Sequence, residues 1–154
     1  MNEYLVRPAT LADSDVLVRH RIGMFTDMGV SVSDEMGDAF REWLAEMIPA
    51  GTYRAWLLEN ARGEVLAGGG LSILPWPPGP RSNEGRLAFV YNVYTEPNHR
   101  RQGLAQLIMN TIHAWCREAG IHAVALNASP FGLSLYRAMG YHEAPSPMMF
   151  LGLE

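Results

Sequence analysis

The passage from Val90 to Gly120 constrains this chain more than any other, because it sets a strand, a tight cationic loop and a long amphipathic helix end to end. Val90-Tyr91-Asn92-Val93-Tyr94-Thr95 has the β-branched and aromatic content of a strand. Glu96-Pro97-Asn98-His99 breaks it, and Arg100-Arg101-Gln102-Gly103-Leu104-Ala105 opens the apolar-striped segment that ends at Gly120. Gly103 and Ala105 carry little or no side chain, so a ligand can come close to the backbone there. The first N–H groups of a helix have no intrahelical partner, and the helix dipole adds partial positive charge at the same end. With Arg100 and Arg101 beside them, these groups form a place for phosphate oxygens. A cation pair at a helix start is otherwise mildly unfavourable, which itself points to an anion. The loop lacks the Gly-Lys-Ser/Thr of a Walker loop and does not match the Gly-x-Gly-x-x-Gly dinucleotide fingerprint.

The flanking sequence supplies the sheet that such a loop needs. Tyr4 to Arg7 reads as a first strand, stopped by Pro8. Thr10 followed by Asp13 predicts a helix start with a side-chain cap, running toward Met28-Gly29 and burying Leu11, Val16, Leu17 and Ile22. Ser33 before Asp34 and Glu35 predicts a second start. Met36, Phe40, Trp43, Leu44 and Met47 then recur at helical spacing until Pro49. Tyr53 to Leu58 and Val65 to Ile73 read as strands joined by a turn at Asn60-Ala61-Arg62-Gly63, and a Pro-rich loop from Pro75 to Pro80 precedes the motif strand, Arg86 to Thr95. The helix after the loop shows Leu104, Leu107, Ile108, Thr111 and Trp115 on one face. Ile121 to Asn127 reads as a short strand, and Ser129-Pro130 as N-cap and N1 proline of a last helix closed by Gly140. Tyr141 and Met148 to Leu151 are expected to make two further strands. The expectation is one α/β domain over 1–154, with a mixed sheet and helices on both faces.

Charge and composition narrow the function. The formal net charge is −4, and no basic face is evident, which argues against a nucleic-acid partner. A single cysteine, Cys116, excludes an internal disulfide. No apolar stretch approaches a membrane span and the N-terminus shows no signal peptide, so a cytoplasmic location without membrane association is expected. The five histidines are scattered singly, with no metal-ligand spacing, and no metal is expected.

The loop resembles the coenzyme A pyrophosphate loop of the GNAT superfamily of acyl-CoA-dependent N-acetyltransferases, which reads Arg/Gln-x-x-Gly-x-Gly/Ala between a strand and a helix. Arg100, Gly103 and Ala105 fill that pattern. Downstream, Leu135-Tyr136-Arg137-Ala138-Met139-Gly140-Tyr141 is similar to the family's second signature, a Tyr four residues before a Gly-aromatic pair, with Tyr141 in place of the more usual Phe. The resemblance is specific from Phe89 to Tyr141. It implies the GNAT fold: a single, mostly antiparallel twisted sheet, splayed where two central parallel strands separate beside a bulge in the motif strand.

The resemblance also implies the chemistry. Acetyl-CoA is the cosubstrate, and a primary amine of a small molecule or peptide attacks it directly in a ternary complex. The pantetheine arm pairs with the motif strand at Val93, Tyr94 and Thr95. An N–H at the bulge polarises the thioester carbonyl, an interaction of the oxyanion-hole type. Arg100, Arg101, Gln102, Gly103, Leu104 and Ala105 hold the pyrophosphate, chiefly through backbone N–H groups. Tyr136 is the expected acid for the leaving thiolate, since a phenol stays protonated until charge develops. Asn127 either hydrogen-bonds the pantetheine or merely ends its strand, with Ser129 close behind. The general base stays open among Glu84, Glu96, Asp27 and Glu35. Phe25, Met28, Trp43 and Trp76 are available to line the acceptor, with Met28 and Trp43 favoured as core. Cys116 reads as a packing residue. A homodimer is expected from the short apolar segment Met148 to Leu151. The competing reading is a CoA-binding sensor or subunit without turnover.

Overall fold

The computed structural model describes residues 3–153. Five strands form one sheet in the order β1-β2-β3-β4-β5: β1 Tyr4–Pro8, β2 Tyr53–Asn60, β3 Val65–Pro75, β4 Arg86–Thr95 and β5 Val124–Leu126. The first four pair antiparallel, and β4 with β5 is parallel. Helices α1 Ser14–Asp27 and α2 Asp34–Met47 connect β1 to β2, α3 Leu104–Glu118 connects β4 to β5, and α4 Leu133–Ala138 follows.

Local chemistry sets the helix starts. Thr10 and Asp13 form a reciprocal capping box, but around a 3-10 turn, Leu11–Asp13, that precedes α1. Leu11 therefore lies outside the helical stripe and is exposed, contrary to the expected burial. Ser33 caps α2 as expected, its hydroxyl accepting from the Met36 N–H at 3.2 Å. The last helix starts later than Ser129-Pro130 predicts. Residues 129–132 close a separate turn, the Gly132 N–H donating to the Ser129 carbonyl, and α4 begins after it.

Two cores sandwich the sheet. On one face Leu17, Val18, Phe40 and Leu44 of α1 and α2 pack on Tyr53, Ala55 and Leu57 of β2. On the other, α3 buries Leu104, Ile108, Met109, Ile112 and Cys116 against Trp56, Leu71, Ala88 and Val90. That face of α3 is rotated from the expected one: Leu107 is exposed, while Ile112 and Cys116 continue the i, i+4 row from Leu104 and Ile108.

The sheet ends at β5. The expected strands at Tyr141 and Met148–Leu151 are absent; these residues are irregular, and Met148, Met149, Phe150, Leu151 and Leu153 are exposed. Pro145 and Pro147 interrupt the approach, and an apolar run this short gains strand conformation only where an edge receives it. β5 is also shorter than Ile121–Asn127. Ile121 packs on the core beneath α3 instead.

Candidate functional site

The site is built on a defect in β4. Gly68 pairs with Tyr94 and Gly70 with Tyr91, so Asn92 and Val93 together face Gly69. Two residues opposite one is a β-bulge, and Asn92 absorbs it with φ +61, a left-handed conformation that asparagine tolerates better than most residues. The extra residue resets the alternation of side chains. Tyr91 and Asn92 both face α1 and α2, Val93 faces α3, and Tyr94 returns to α1, where it meets the His20 ring at 5.1 Å. On the far side, β5 pairs with β4 only at Ala88, Phe89 and Val90. β5 ends at Leu126, opposite Val90, so among the described residues the outer edge of Tyr91 to Thr95 has no strand beside it. The bulge expected of the motif strand is present, but the parallel pair lies at the edge of the sheet rather than at its centre, because no strand forms beyond β5 among the described residues.

β3 has to yield for this to happen. A Cβ on Gly70 would stand 2.3 Å from the Tyr53 hydroxyl, so only glycine lets that phenol lie across the strand under the bulge. The Tyr53 hydroxyl accepts a hydrogen bond from Asn92 Nδ2 at 2.9 Å, and Asn92 Oδ1 accepts one from Arg21 at 2.6 Å. Burial pushes the Tyr53 phenol up to about 12, so it remains a neutral partner. These three residues fix the bulge from three different elements.

The loop after β4 has the shape that phosphate binding needs. Arg101 (φ +64) and Gly103 (φ +77) are left-handed in close succession, and Gly103 is the N-cap of α3. Among the described residues no side chain caps that end, and a Cβ on Gly103 would meet nothing within 4 Å. Arg101, Gln102 and Gly103 are exposed, Ala105 is half-buried, and Leu104 anchors the loop in the core. The two arginines part company. Arg100 donates to the Thr95 carbonyl at 3.0 Å and pairs with Asp27 at 2.7 Å, lying over the Tyr94 ring. Its charge is spent on closing the loop against β4 and α1, whereas Arg101 has no carboxylate partner among the described residues.

Tyr136 sits on α4 with the core that holds Val90 and Leu104, its ring edge-on to Tyr141 at 5.7 Å. It is 8% exposed, and burial raises its pKa, which keeps the phenol protonated. Tyr141 is held in turn by His113, 2.6 Å from its hydroxyl. Asn127 follows Leu126, the last paired residue of β5, and is exposed; Ser129 begins the turn before α4.

Three of the four carboxylates considered as general base are already engaged. Asp27 pairs with Arg100, Glu84 with Arg86, and Glu96 with Arg19 and His20. Burial pushes Glu96 up, but Arg19 and His20 outweigh it and lower its pKa, which makes it a weak base. Glu35 lies exposed in the first turn of α2. His20 is 1% exposed and held neutral: burial lowers its pKa to about 4 against the pull of Glu96. Burial prevails because Nδ1 has no partner among the described residues and Arg19 already shares the same carboxylate. Of the residues considered for an acceptor wall, Phe25 is half-buried and Trp43 packs in the α1–α2 core, while Trp76 and Met28 are exposed, which corrects the core placement of Met28. Cys116 is buried, and burial raises its pKa, as expected of an inert packing thiol.

Sequence reasoning passed over Arg21, Tyr53 and Asn92. Asn92 carried a usable signal, a polar residue within an otherwise apolar and aromatic strand. Among the described residues no group of three or more His, Cys, Asp and Glu side chains could hold a metal, and no helix is long and apolar enough to cross a membrane.

Comparison with known proteins agrees with this geometry. The fold matches the crystal structure of a GCN5-related N-acetyltransferase from Ralstonia eutropha JMP134 with a TM-score of 0.90, 32% identity, and 97% of this chain and 99% of that one covered. A predicted acetyltransferase from Clostridium acetobutylicum, solved with acetyl-CoA, matches with a TM-score of 0.89, 21% identity, and 97% and 96% of the two chains covered. Human N-acetyltransferase 8 is 27% identical over 122 residues, 77% of this chain; the chain spans about half (49%) of that protein's length. The family model of the acetyltransferase (GNAT) family matches residues 19–141, a span that takes in most of α1, the bulge, the phosphate-type loop and the Tyr136 signature. With the bulged strand, the loop and the whole-chain fold all pointing the same way, this chain belongs to the GNAT acetyltransferase family.

Proposed function

We propose that residues 1–154 form one N-acetyltransferase domain that moves the acetyl group of acetyl-CoA to a primary amine by direct attack in a ternary complex. The observation that carries this reading is the Asn92–Val93 bulge, which opens an unpaired strand edge immediately before the left-handed loop at Arg101 and Gly103. The site fits the cosubstrate on its own terms: the space over Gly103 is one that a Cβ would enter, and the N–H groups of an uncapped helix start point there.

In this reading the backbone of Val93, Tyr94 and Thr95 receives the pantetheine arm, and the N–H groups from Arg101 to Ala105 receive the pyrophosphate, with Arg101 as the nearby free cation. Asn127 and Ser129 flank the other side of the gap. The amine nitrogen attacks the thioester carbonyl carbon; the C–N bond forms, the C–S bond breaks, and Tyr136 gives its proton to the leaving sulfur. With Asp27, Glu84 and Glu96 engaged by arginines, the amine's own proton leaves through water rather than to one of these carboxylates. The buried lone Cys116 fits a reducing, cytoplasmic setting.

Release of free thiol from acetyl-CoA across a panel of primary amines tests the reading. Amine-dependent release supports it. Tight acetyl-CoA binding with no release for any amine supports instead a non-catalytic CoA sensor.

The exposed run Met148-Met149-Phe150-Leu151 also supports a homodimer in which this segment from one copy lies along the open edge of β5 in the other. Sedimentation should give a dimer for the full chain and a monomer after removal of residues 147–154. A full chain that stays monomeric at high micromolar concentration contradicts it.

A further inference from the structure

All twelve basic residues of the chain are arginines, and Arg21 is set apart from the rest. Among the described residues, Arg7, Arg19, Arg41, Arg62, Arg86, Arg100 and Arg137 each pair with a carboxylate. Of those without one, Arg54, Arg81, Arg101 and Arg117 are exposed to water. Arg21 alone is both partly buried and without a carboxylate. Its guanidinium lies over the Phe25 and Phe40 rings, 5.1 and 5.0 Å from their centres, and among the described residues makes one hydrogen bond, to the neutral amide of Asn92. Burial lowers its pKa, the physical sign of a cation short of compensation. Asn92 takes one of the five guanidinium donors, and among the described residues the others have no hydrogen-bond partner.

The location gives this cation a purpose. Asn92 is the bulge residue itself, so Arg21 is keyed to the point where the thioester would be attacked, on the α1–α2 side of β4. A plain cationic amine arriving there would meet a guanidinium, while Asp27, Glu84 and Glu96 are held by other arginines. An amine that brings its own carboxylate reverses that sign. The planar fork of arginine matches a carboxylate with two parallel hydrogen bonds. Once paired, it also fixes how far the amine lies from the bulge.

We propose that Arg21 is the acceptor-carboxylate site of this enzyme, and that its substrates are amines bearing a carboxylate, of the amino-acid type. This rests on the acetyltransferase reading above and specifies its acceptor class.

The test compares matched pairs of acceptors, amino acids against their carboxamides, in the wild type, Arg21→Met and Arg21→Lys, with calorimetric titration of acetyl-CoA into each protein as a separate readout. In the wild type kcat/KM should favour the carboxylate member by roughly 10- to 100-fold, mostly through KM, the span expected of a hydrogen-bonded charge pair. In Arg21→Met the ratio should fall to near one, and in Arg21→Lys it should be intermediate, since the charge survives without the fork. Should Arg21→Met fail to fold, the Arg21→Lys ratio decides. If no member of either series is acetylated, binding of the corresponding N-acetyl amino acids and N-acetyl amides to the CoA-loaded wild type decides instead, with tighter binding of the carboxylates expected. Equal preference in the wild type, or a preference untouched by Arg21→Met, overturns the carboxylate site while leaving acetyl transfer standing. Failure of the wild type to bind acetyl-CoA overturns both.

Discussion

The loop between β4 and α3 and the wall formed by α1, α2 and β4 flank the same bulge, yet they are built from different materials. The loop offers backbone: two left-handed residues, an uncapped helix start, and a glycine whose missing Cβ leaves open space. The wall offers side chains, with Arg21, Tyr53 and Asn92 brought together from α1, β2 and β4. A backbone site must be contiguous, because its donors are successive N–H groups. A side-chain site need not be; Arg21 and Asn92 are 71 positions apart. The part proposed to hold the cosubstrate can thus be written as a short motif, whereas the part proposed to select an acceptor is written only in three dimensions.

Tyr136 probes the loop's side of the bulge, where it packs in the core that holds Val90 and Leu104, and its removal should have the largest effect on turnover. Tyr136→Phe should lower kcat by roughly one to three orders of magnitude. Acetyl-CoA affinity should hold, since the ring stays packed against Tyr141 and the loop is untouched. A variant as fast as the wild type would show that Tyr136 is a packing residue and that the thiolate is protonated by water.

His20 probes the rigidity of the wall, with a smaller effect that appears in stability. Its folded pKa, about 4, lies below the 6.5 of an unperturbed histidine. Between those values the unfolded chain binds a proton that the folded one does not. Stability from this group is therefore complete above pH 6.5 and is lost as pH falls toward 4, by about 3 kcal/mol in all. In denaturant unfolding across that window, His20→Gln should remove close to one proton from the acid slope, the amide still being able to donate to Glu96. Identical slopes in the two proteins would mean that His20 is charged in the fold and paired with Glu96, and that the wall is more polar than burial alone implies.

The same contrast explains what could be read from the residues. The strand–loop–helix unit, the Ser33 cap and the Asn60–Gly63 turn were legible because each is decided by neighbours in sequence. The face of α3 was misjudged because Leu107 and Ile112 are equally apolar, and only the position of the sheet decides which one is covered. The two C-terminal strands failed for a related reason: Met148–Leu151 has the composition of a strand, but strand formation needs an edge, and no edge is visible in a list of residues. Of the proposed site, the loop and Tyr136 were picked out by motifs. Arg100 fits the motif by position, yet its guanidinium is turned to Asp27, a pairing set by how α1 lies on β4.

Calorimetric titration of acetyl-CoA into the wild type and Gly103→Val tests the central claim, that the backbone of this loop receives the pyrophosphate, most directly. Valine at φ +77 strains the helix start and places methyl groups in the space over the loop, so unfolding of the variant is measured alongside. The account predicts binding to the wild type and a loss of roughly 10- to 100-fold in a variant that still folds. A folded Gly103→Val protein that binds acetyl-CoA as tightly as the wild type would contradict it.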